Sequence, residues 1–188
     1  MPNWCNHYIV VKGKLSELKK FREFAKGENG NLDMNSFIPY PEKFAKKDRE
    51  VVGYYEKIKS LEKKSEKDKK AKKELEQLKM LEKLEDRETT DGYNSGGYNW
   101  CIVNWGTKWN FWGNTNEDIK IKNGRLNYSI ETAWSFPEPI AIEMTKQFPN
   151  LEFEWASEEE SREFKFNVIY KGGCQISYED MPYEDDEE

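Results

Sequence analysis

Residues 48–87 contain no proline and a single glycine, Gly53, in a run made largely of Glu, Lys and Leu. Strong helix formers fill nearly every position and nothing interrupts them, so any fold for this chain has to place these residues in helix. Apolar side chains recur at Val51, Tyr54, Tyr55, Ile58 and Leu61, vanish from 62 to 70, and return at Ala71, Leu75, Leu78, Leu81 and Leu84. One stripe per half predicts an αα-hairpin whose stripes face each other below a polar tip. The alternative is one continuous helix of about 60 Å, at about 1.5 Å per residue, with a solvated middle. No strong turn residue marks the tip. The segment reads as an insertion, which leaves 1–47 and 88–178 to close on one another as a discontinuous core.

The flanks alternate between strand and helix signals. Residues 6–11 are rich in β-formers and run up to Gly13, which predicts a first, central strand. Leu15, Leu18, Phe21 and Ala25, with Phe24 beside them, fall at helical spacing, and Ser16 is the expected N-cap. Pro39 and Pro41 exclude helix from 33–42 and predict an extended connection. A glycine-rich loop is expected over 88–98. Residues 99–105 then alternate, with Cys101, Val103 and Trp105 on one face, and 108–112 continue the strand beyond a break at Gly106. Residues 119–122 read as a short strand entering a hairpin turn at Asn123-Gly124. Leu126, Tyr128 and Ile130 alternate on its far side. Ser135, Pro137 and Pro139 predict a helix over 138–148, capped by the serine. Two strands follow, through Leu151, Phe153 and Trp155 and through Phe164, Phe166, Val168 and Tyr170, before Gly172-Gly173 turns the chain into 174–178. Strand–helix–strand–strand–helix–strand is the split βαβ order, so the expected fold is α+β: a ferredoxin-like sheet with an inserted charged hairpin and extra C-terminal strands.

Charge is unevenly distributed. The segment 43–87 carries 16 basic and 11 acidic residues, whereas 88–188 carries 8 basic and 20 acidic. An acidic C-terminal half repels phosphates, so nucleic acid is disfavoured as a partner for the whole domain. The basic middle could touch a phosphate backbone, but its interspersed acids read as a solvated helix face. Seven of the last ten residues, 179–188, are acidic, which predicts a disordered tail. No apolar run approaches the roughly 18 residues of a membrane-spanning helix, and the start MPNWCNHYIV lacks the features of a secretory signal. Cys5, Cys101 and Cys174 are odd in number and widely spaced, which argues against a disulfide framework and for a reducing, cytoplasmic setting.

Three motifs stand out. Trp4 sits in Pro2-Asn3-Trp4-Cys5-Asn6 and reads as an anchor that tucks the first strand into the core. Trp100, Trp105, Trp109 and Trp112 fall within 13 residues, which β-propensity alone does not explain. These rings either fill the space between sheet and helices or form a recognition surface, and Lys108 is placed to lie against an indole or meet an anionic group. Trp134 and Phe136, in Thr132-Ala133-Trp134-Ser135-Phe136-Pro137-Glu138-Pro139, read as wedges at a strand-to-helix corner.

Taken together, Pro2-Asn3-Trp4-Cys5-Asn6, Trp105-Gly106-Thr107-Lys108-Trp109 and the Thr132–Pro139 corner resemble an uncharacterised family carried by bacteriophages and conjugative plasmids, the YubB-like proteins with a ferredoxin-like domain. The resemblance spans roughly 1–42 and 88–172. It implies a mobile-element origin and a life in the cytoplasm of the host bacterium. It implies no established activity and carries over no catalytic residues.

Catalytic constellations are sparse. The single histidine, His7, lies in a predicted strand. A Cys101 nucleophile with His7 as base requires neighbouring strands, and a metal site from Cys5, His7, Cys101 and Cys174 lacks a ligand knuckle. Asp91, Asp118, Glu131 and Glu138 sit on separate predicted elements, and no phosphate-binding glycine motif occurs. The expectation is therefore a non-enzymatic binding module without a cofactor. It would occupy a host or element-encoded protein, with anti-defence as one outcome, through Tyr98, Trp105, Lys108, Trp109 and Trp112. The alternative is a protein that sequesters a small nucleotide, stacking its base on indoles and holding phosphate with Lys108 or Arg125. An exposed edge strand or the hairpin stripe could also pair two copies as a homodimer.

Overall fold

The computed structural model describes residues 3–27, 32–65, 68–85, 97–113 and 120–183. The chain divides into two units, Met1–Pro39 with Cys101–Glu188, and Tyr40–Trp100. The second unit is wider than the 48–87 segment delimited by its composition, because Tyr40 and Trp100 are themselves in ring contact, with centroids 5.5 Å apart.

In the first unit, β1 (Trp4–Lys12) buries Cys5, His7, Ile9 and Val11 on one face. It lies between β3 (Arg125–Ala133) and β4 (Glu152–Glu159), antiparallel to both. The two-residue β2 (Trp112–Gly113) flanks β3, and β5 (Lys165–Lys171) and β6 (Cys174–Asp180) extend the sheet beyond β4. The resulting order, β2-β3-β1-β4-β5-β6, is that of a ferredoxin-like sheet with two strands added at one edge. Both expected glycine turns occur, but the strand expected over 119–122 does not, since 120–122 carry only an isolated bridge from Lys122 to Arg125. Asn123 and Gly124 have φ of 50° and 71°, and Gly172 and Gly173 have φ of 60° and 83°, the left-handed pairs that let a two-residue loop follow the twist of its strands.

Helices α1 (Leu15–Phe24) and α5 (Glu138–Gln147) supply the core with Leu18 and Phe21, and with Ile140, Ala141 and Met144. Phe21 is fully buried and meets Tyr128, Phe153 and Phe148 edge-on at 6.1, 5.1 and 5.1 Å. Burying such a ring stabilises the fold by about 1.5–3 kcal/mol. The other sheet face is built from the alternate residues. Asn6, Tyr8, Asn127, Ser129 and Ala156 are exposed there, with Lys12 paired to Glu154 at 2.6 Å and Lys165 to Glu158 at 3.6 Å.

Several expectations fail at the level of local structure. Residues 99–105 are not a strand: α4 (Tyr98–Trp105) occupies them. Cys101 and Trp105 are buried as expected, but they share a face because they are four apart on a helix, and Val103 is 74% exposed. Beyond Gly106 the chain is irregular until β2, so 108–112 do not form a strand either. Ser16 does not cap α1, whose N-cap is Lys14 without a side-chain bond. Ser135 does not cap α5, since its hydroxyl donates to Gly106 O at 2.6 Å. The 33–42 connection includes a 3₁₀ turn, Met34–Ser36, capped by Asp33. The disordered tail expected over 179–188 does not begin at 179, because Glu179 and Asp180 lie in β6 and the Tyr183 hydroxyl donates to Phe164 O at 2.6 Å. Residues 184–188, the loop residues 88–96 and Ile119 lie outside the described residues.

The second unit is an αα-hairpin of α2 (Glu42–Ser65) and α3 (Lys69–Glu85). Ile58 and Leu61 pack against Ala71 and Leu75, flanked by Tyr54 and Leu78. The segment forms two packed helices and not one continuous helix. The stop signal is Asp68, whose carboxylate accepts from Lys70 N at 2.8 Å and so caps α3.

Candidate functional site

The aromatic segment after α4 is held at both ends. Gly106, at φ 78°, ends the helix by donating its N–H to Cys101 O at 3.1 Å, a left-handed closure that suits glycine. A Cβ there would lie 2.6 Å from Pro139 Cδ. The buried Thr107 donates its hydroxyl to Ala133 O at 2.8 Å, at the end of β3. Asn110 ties the other end to the 3₁₀ turn: its Oδ1 accepts from Met34 N at 3.0 Å, and its Nδ2 donates to Asp33 Oδ1 at 2.7 Å. Lys108 and Trp109 are thus displayed between two anchors.

Lys108 Nζ lies 4.5 Å from the centroid of the Trp134 ring and 4.9 Å from that of Trp109. Trp109 in turn leans on Trp4, with centroids 6.0 Å apart and planes at 57°. An ammonium on an indole face is worth about 0.5–2 kcal/mol, more where water is excluded. Trp134 reaches this position in a left-handed backbone conformation, φ 72°, with its N–H bonded to Asn3 O at 2.9 Å. For a bulky L-residue that conformation is strained by about 1–3 kcal/mol. The strain turns the side chain out of the β3 alternation, in which Thr132 and Ala133 are both buried, and Trp134 stays 42% exposed. Trp112, opposite Glu131 on the edge strand, is 65% exposed.

The sequence-selected residues separate accordingly. Lys108 and Trp109 meet, and Trp112 lies on the neighbouring edge. Trp105 does not belong to the corner: it is 3% exposed and its indole N–H donates to Ile38 O at 2.8 Å, which makes it core. Tyr98 lies in the helical unit. Arg125 pairs with Lys12 at the far end of β3, six residues or about 20 Å of strand from Glu131. It cannot join Lys108 around one nucleotide phosphate. The sequence suggests Trp4 as an anchor of the first strand and Trp134 as a wedge, whereas both line the corner. The usable signal was the split βαβ order, which sets the first strand beside the one through Ile130 and so brings Trp4 opposite Ala133, next to Trp134.

The single histidine is consumed structurally. His7 Nε2 lies 2.7 Å from Thr132 Oγ1, and Nδ1 lies 2.9 Å from Ser157 Oγ. The Thr132 hydroxyl proton goes to Ser135 O at 2.6 Å. Nε2 must therefore donate, and burial, which disfavours the charged ring, leaves Nδ1 as the acceptor. Burial lowers its pKa to about 3. Neither nitrogen is left for Cys101 or for a metal, and Cys174 is exposed on β6. Among the described residues no group of three or more His, Cys, Asp or Glu side chains is placed to hold a metal ion. Of the four acids considered, Glu131 is on the open sheet face and Glu138 accepts from the Tyr170 hydroxyl at 3.2 Å; Asp91 and Asp118 lie outside the described residues. A shallow depression of about 280 Å³ around Tyr8, Ser129 and Ala156 includes none of the tryptophans. No helix among the described residues is long and apolar enough to cross a membrane.

Residues 108–188 match a family model described as the ferredoxin-like domain in Api92-like protein. That segment contains Lys108, Trp109, Trp112 and Trp134 but not Trp4. The chain is also similar to the crystal structure of a protein Api92 from Yersinia pseudotuberculosis, with a TM-score of 0.52 and 7% identity over 98% of this chain and 100% of that one. At that identity the likeness concerns the fold. No curated protein matches the chain.

Proposed function

We propose that this protein is a non-catalytic binding module whose tryptophan corner docks on another protein. The partner belongs to the host bacterium or to the phage or plasmid that carries the gene, and occupying it disables a defence function. The observation that carries this reading is the Lys108 ammonium set between Trp109 and Trp134, with Trp134 held in a strained backbone so that its ring stays accessible. A fold that needed these rings only for packing would have no use for the strain. Tryptophan is also among the residues that dominate the energetics of protein interfaces.

The test is capture from the carrier bacterium, followed by titration of the purified partner. Trp112→Ala, Trp134→Ala and Lys108→Ala each lower affinity about 30-fold, equivalent to about 2 kcal/mol, while the melting temperature stays within a few degrees. Unchanged affinity in all three variants refutes the corner as the interface.

Nucleotide sequestration is the second reading. Lys108 beside two indoles favours it, but Arg125 no longer contributes, so the phosphate would rest on Lys108 alone. A nucleotide that raises the melting temperature of the wild type and not of Lys108→Ala would support it.

A further inference from the structure

The linear charge count hides what the hairpin does with its lysines. Counted over 43–87, basic residues are diluted by 11 acids. Folding α2 back onto α3 brings the lysine-rich end of one helix beside the lysine-rich start of the other. The described residues 57–65 and 68–73 hold eight lysines and only two acids, Glu62 and Asp68. All eight lysines are exposed, and the stretch of α2 that carries its share spans about 12 Å at about 1.5 Å per residue. Glu62 is occupied by Lys79 at 2.7 Å and Lys57 by Glu74 at 2.9 Å. Lys59, Lys63, Lys64, Lys69, Lys70, Lys72 and Lys73 form no ion pair among the described residues. This end carries a net +6 in a chain whose total is −6.

The geometry points to a site for double-stranded DNA, bound through its phosphates without regard to sequence. The apolar residues of this end, Ile58, Leu61, Ala71 and Leu75, are consumed inside the hairpin. It therefore has no apolar face to lay into a membrane surface. No aromatic residue occurs in 56–73, so it offers no stacking platform for single strands. It has neither Arg, Asn nor Gln over 57–73, the side chains that read base edges most often. What is left is a dense set of flexible point charges on a helical tip. Two packed helices, each about 10–12 Å across, are too wide to enter the DNA major groove of about 12 Å, so the pair lies over it and its lysines meet the phosphates on either side, whereas the major groove of duplex RNA is deep and narrow.

If four lysines neutralise phosphates, log K falls against log salt with a slope of about −3.6. Raising KCl from about 50 to about 200 mM then weakens binding more than about 100-fold. The experiment is fluorescence anisotropy of a labelled random-sequence DNA duplex with the full chain. It also uses Lys63→Gln/Lys64→Gln/Lys70→Gln/Lys73→Gln and the matching quadruple Arg variant, with helix content checked by circular dichroism. Gln keeps helix propensity and removes charge; Arg keeps both. The expected result is wild-type binding at low salt with the steep slope, retention in the Arg variant, and loss of the slope in the Gln variant. Trp112→Ala should bind as wild type, which separates this site from the tryptophan corner. Failure of the wild type to bind, an unaltered slope in the Gln variant or loss of binding in the Arg variant would each overturn the inference. So would tighter binding to duplex RNA, polyglutamate or phosphatidylserine vesicles than to DNA.

Discussion

Acidification should weaken the sheet unit through His7, by an amount the structure sets. The ring is 2% exposed, bonded to two hydroxyls, and flanked edge-on by Phe136 and Trp155 at 5.7 and 5.9 Å. Burial lowers its pKa from 6.5 to about 3. Between those values the unfolded chain binds a proton that the folded chain refuses, so stability rises with pH across this window and is lost as pH falls through it. The loss is on the order of 1 kcal/mol for each pH unit below 6.5, or about 2–3 kcal/mol at pH 4.5. The assay is urea unfolding followed by the fluorescence of the sheet unit, for wild type and His7→Gln, at pH 7.0, 5.5 and 4.5. Gln can still bond both hydroxyls and does not titrate, and carboxylate titrations are common to both proteins and cancel. The stability difference between wild type and variant should therefore shift by about 2–3 kcal/mol against the wild type between pH 7.0 and 4.5. Parallel pH profiles would refute the assignment of a buried neutral imidazole.

Two glycines should respond in opposite directions. Gly106→Ala forces a Cβ to within 2.6 Å of Pro139 Cδ at φ 78° and should cost at least about 2 kcal/mol in thermal or urea unfolding of the sheet unit. Gly53→Ala, mid-helix in α2 with nothing within 4 Å of the added methyl, should raise hairpin stability by about 0.5–1 kcal/mol in a circular-dichroism melt. Thiol labelling of the native protein at pH 8 should modify one cysteine quickly, Cys174. Cys101 is buried, and Cys5, pushed up to about 12 by burial and by the neighbouring Glu159 carboxylate, should react only on unfolding.

The fold was legible where periodicity and turn chemistry agreed. Leu126, Tyr128 and Ile130 alternate onto the core face, Asn123-Gly124 turns as an Asn-Gly pair does, and Tyr54, Ile58 and Leu61 of the charged segment meet Ala71, Leu75 and Leu78 as a hairpin, while Tyr55 of the expected stripe is exposed. The misreading of 99–105 has a specific cause. Cys101 and Trp105 share a face in a strand and in a helix alike, and the Trp, Ile and Val residues tilt propensity toward strand. Val103 breaks the tie, since it would be buried in a strand and is 74% exposed here. Gly106 was read as a break within a strand, although a glycine just after a helix is the commonest way to close one. The candidate site was half legible. Lys108, Trp109 and Trp112 came from local density of indoles, but Trp4 and Trp134 join them only through strand pairing across more than a hundred residues. Trp105 could not be told from its neighbours, because its burial depends on the backbone carbonyl of Ile38.

The tryptophans are divided between core and corner, and the proposal is that the corner binds a partner protein. Hydroxyl-radical footprinting read by mass spectrometry, on the free protein and on its complex with a captured partner, tests both halves at once. The account predicts rapid oxidation of Trp112 and Trp134 in the free protein, none at the buried Trp105 and Trp155, and protection of Trp112 and Trp134 in the complex. Oxidation of Trp105 as fast as Trp112, or undiminished reactivity of Trp112 and Trp134 once the partner is bound, would contradict it.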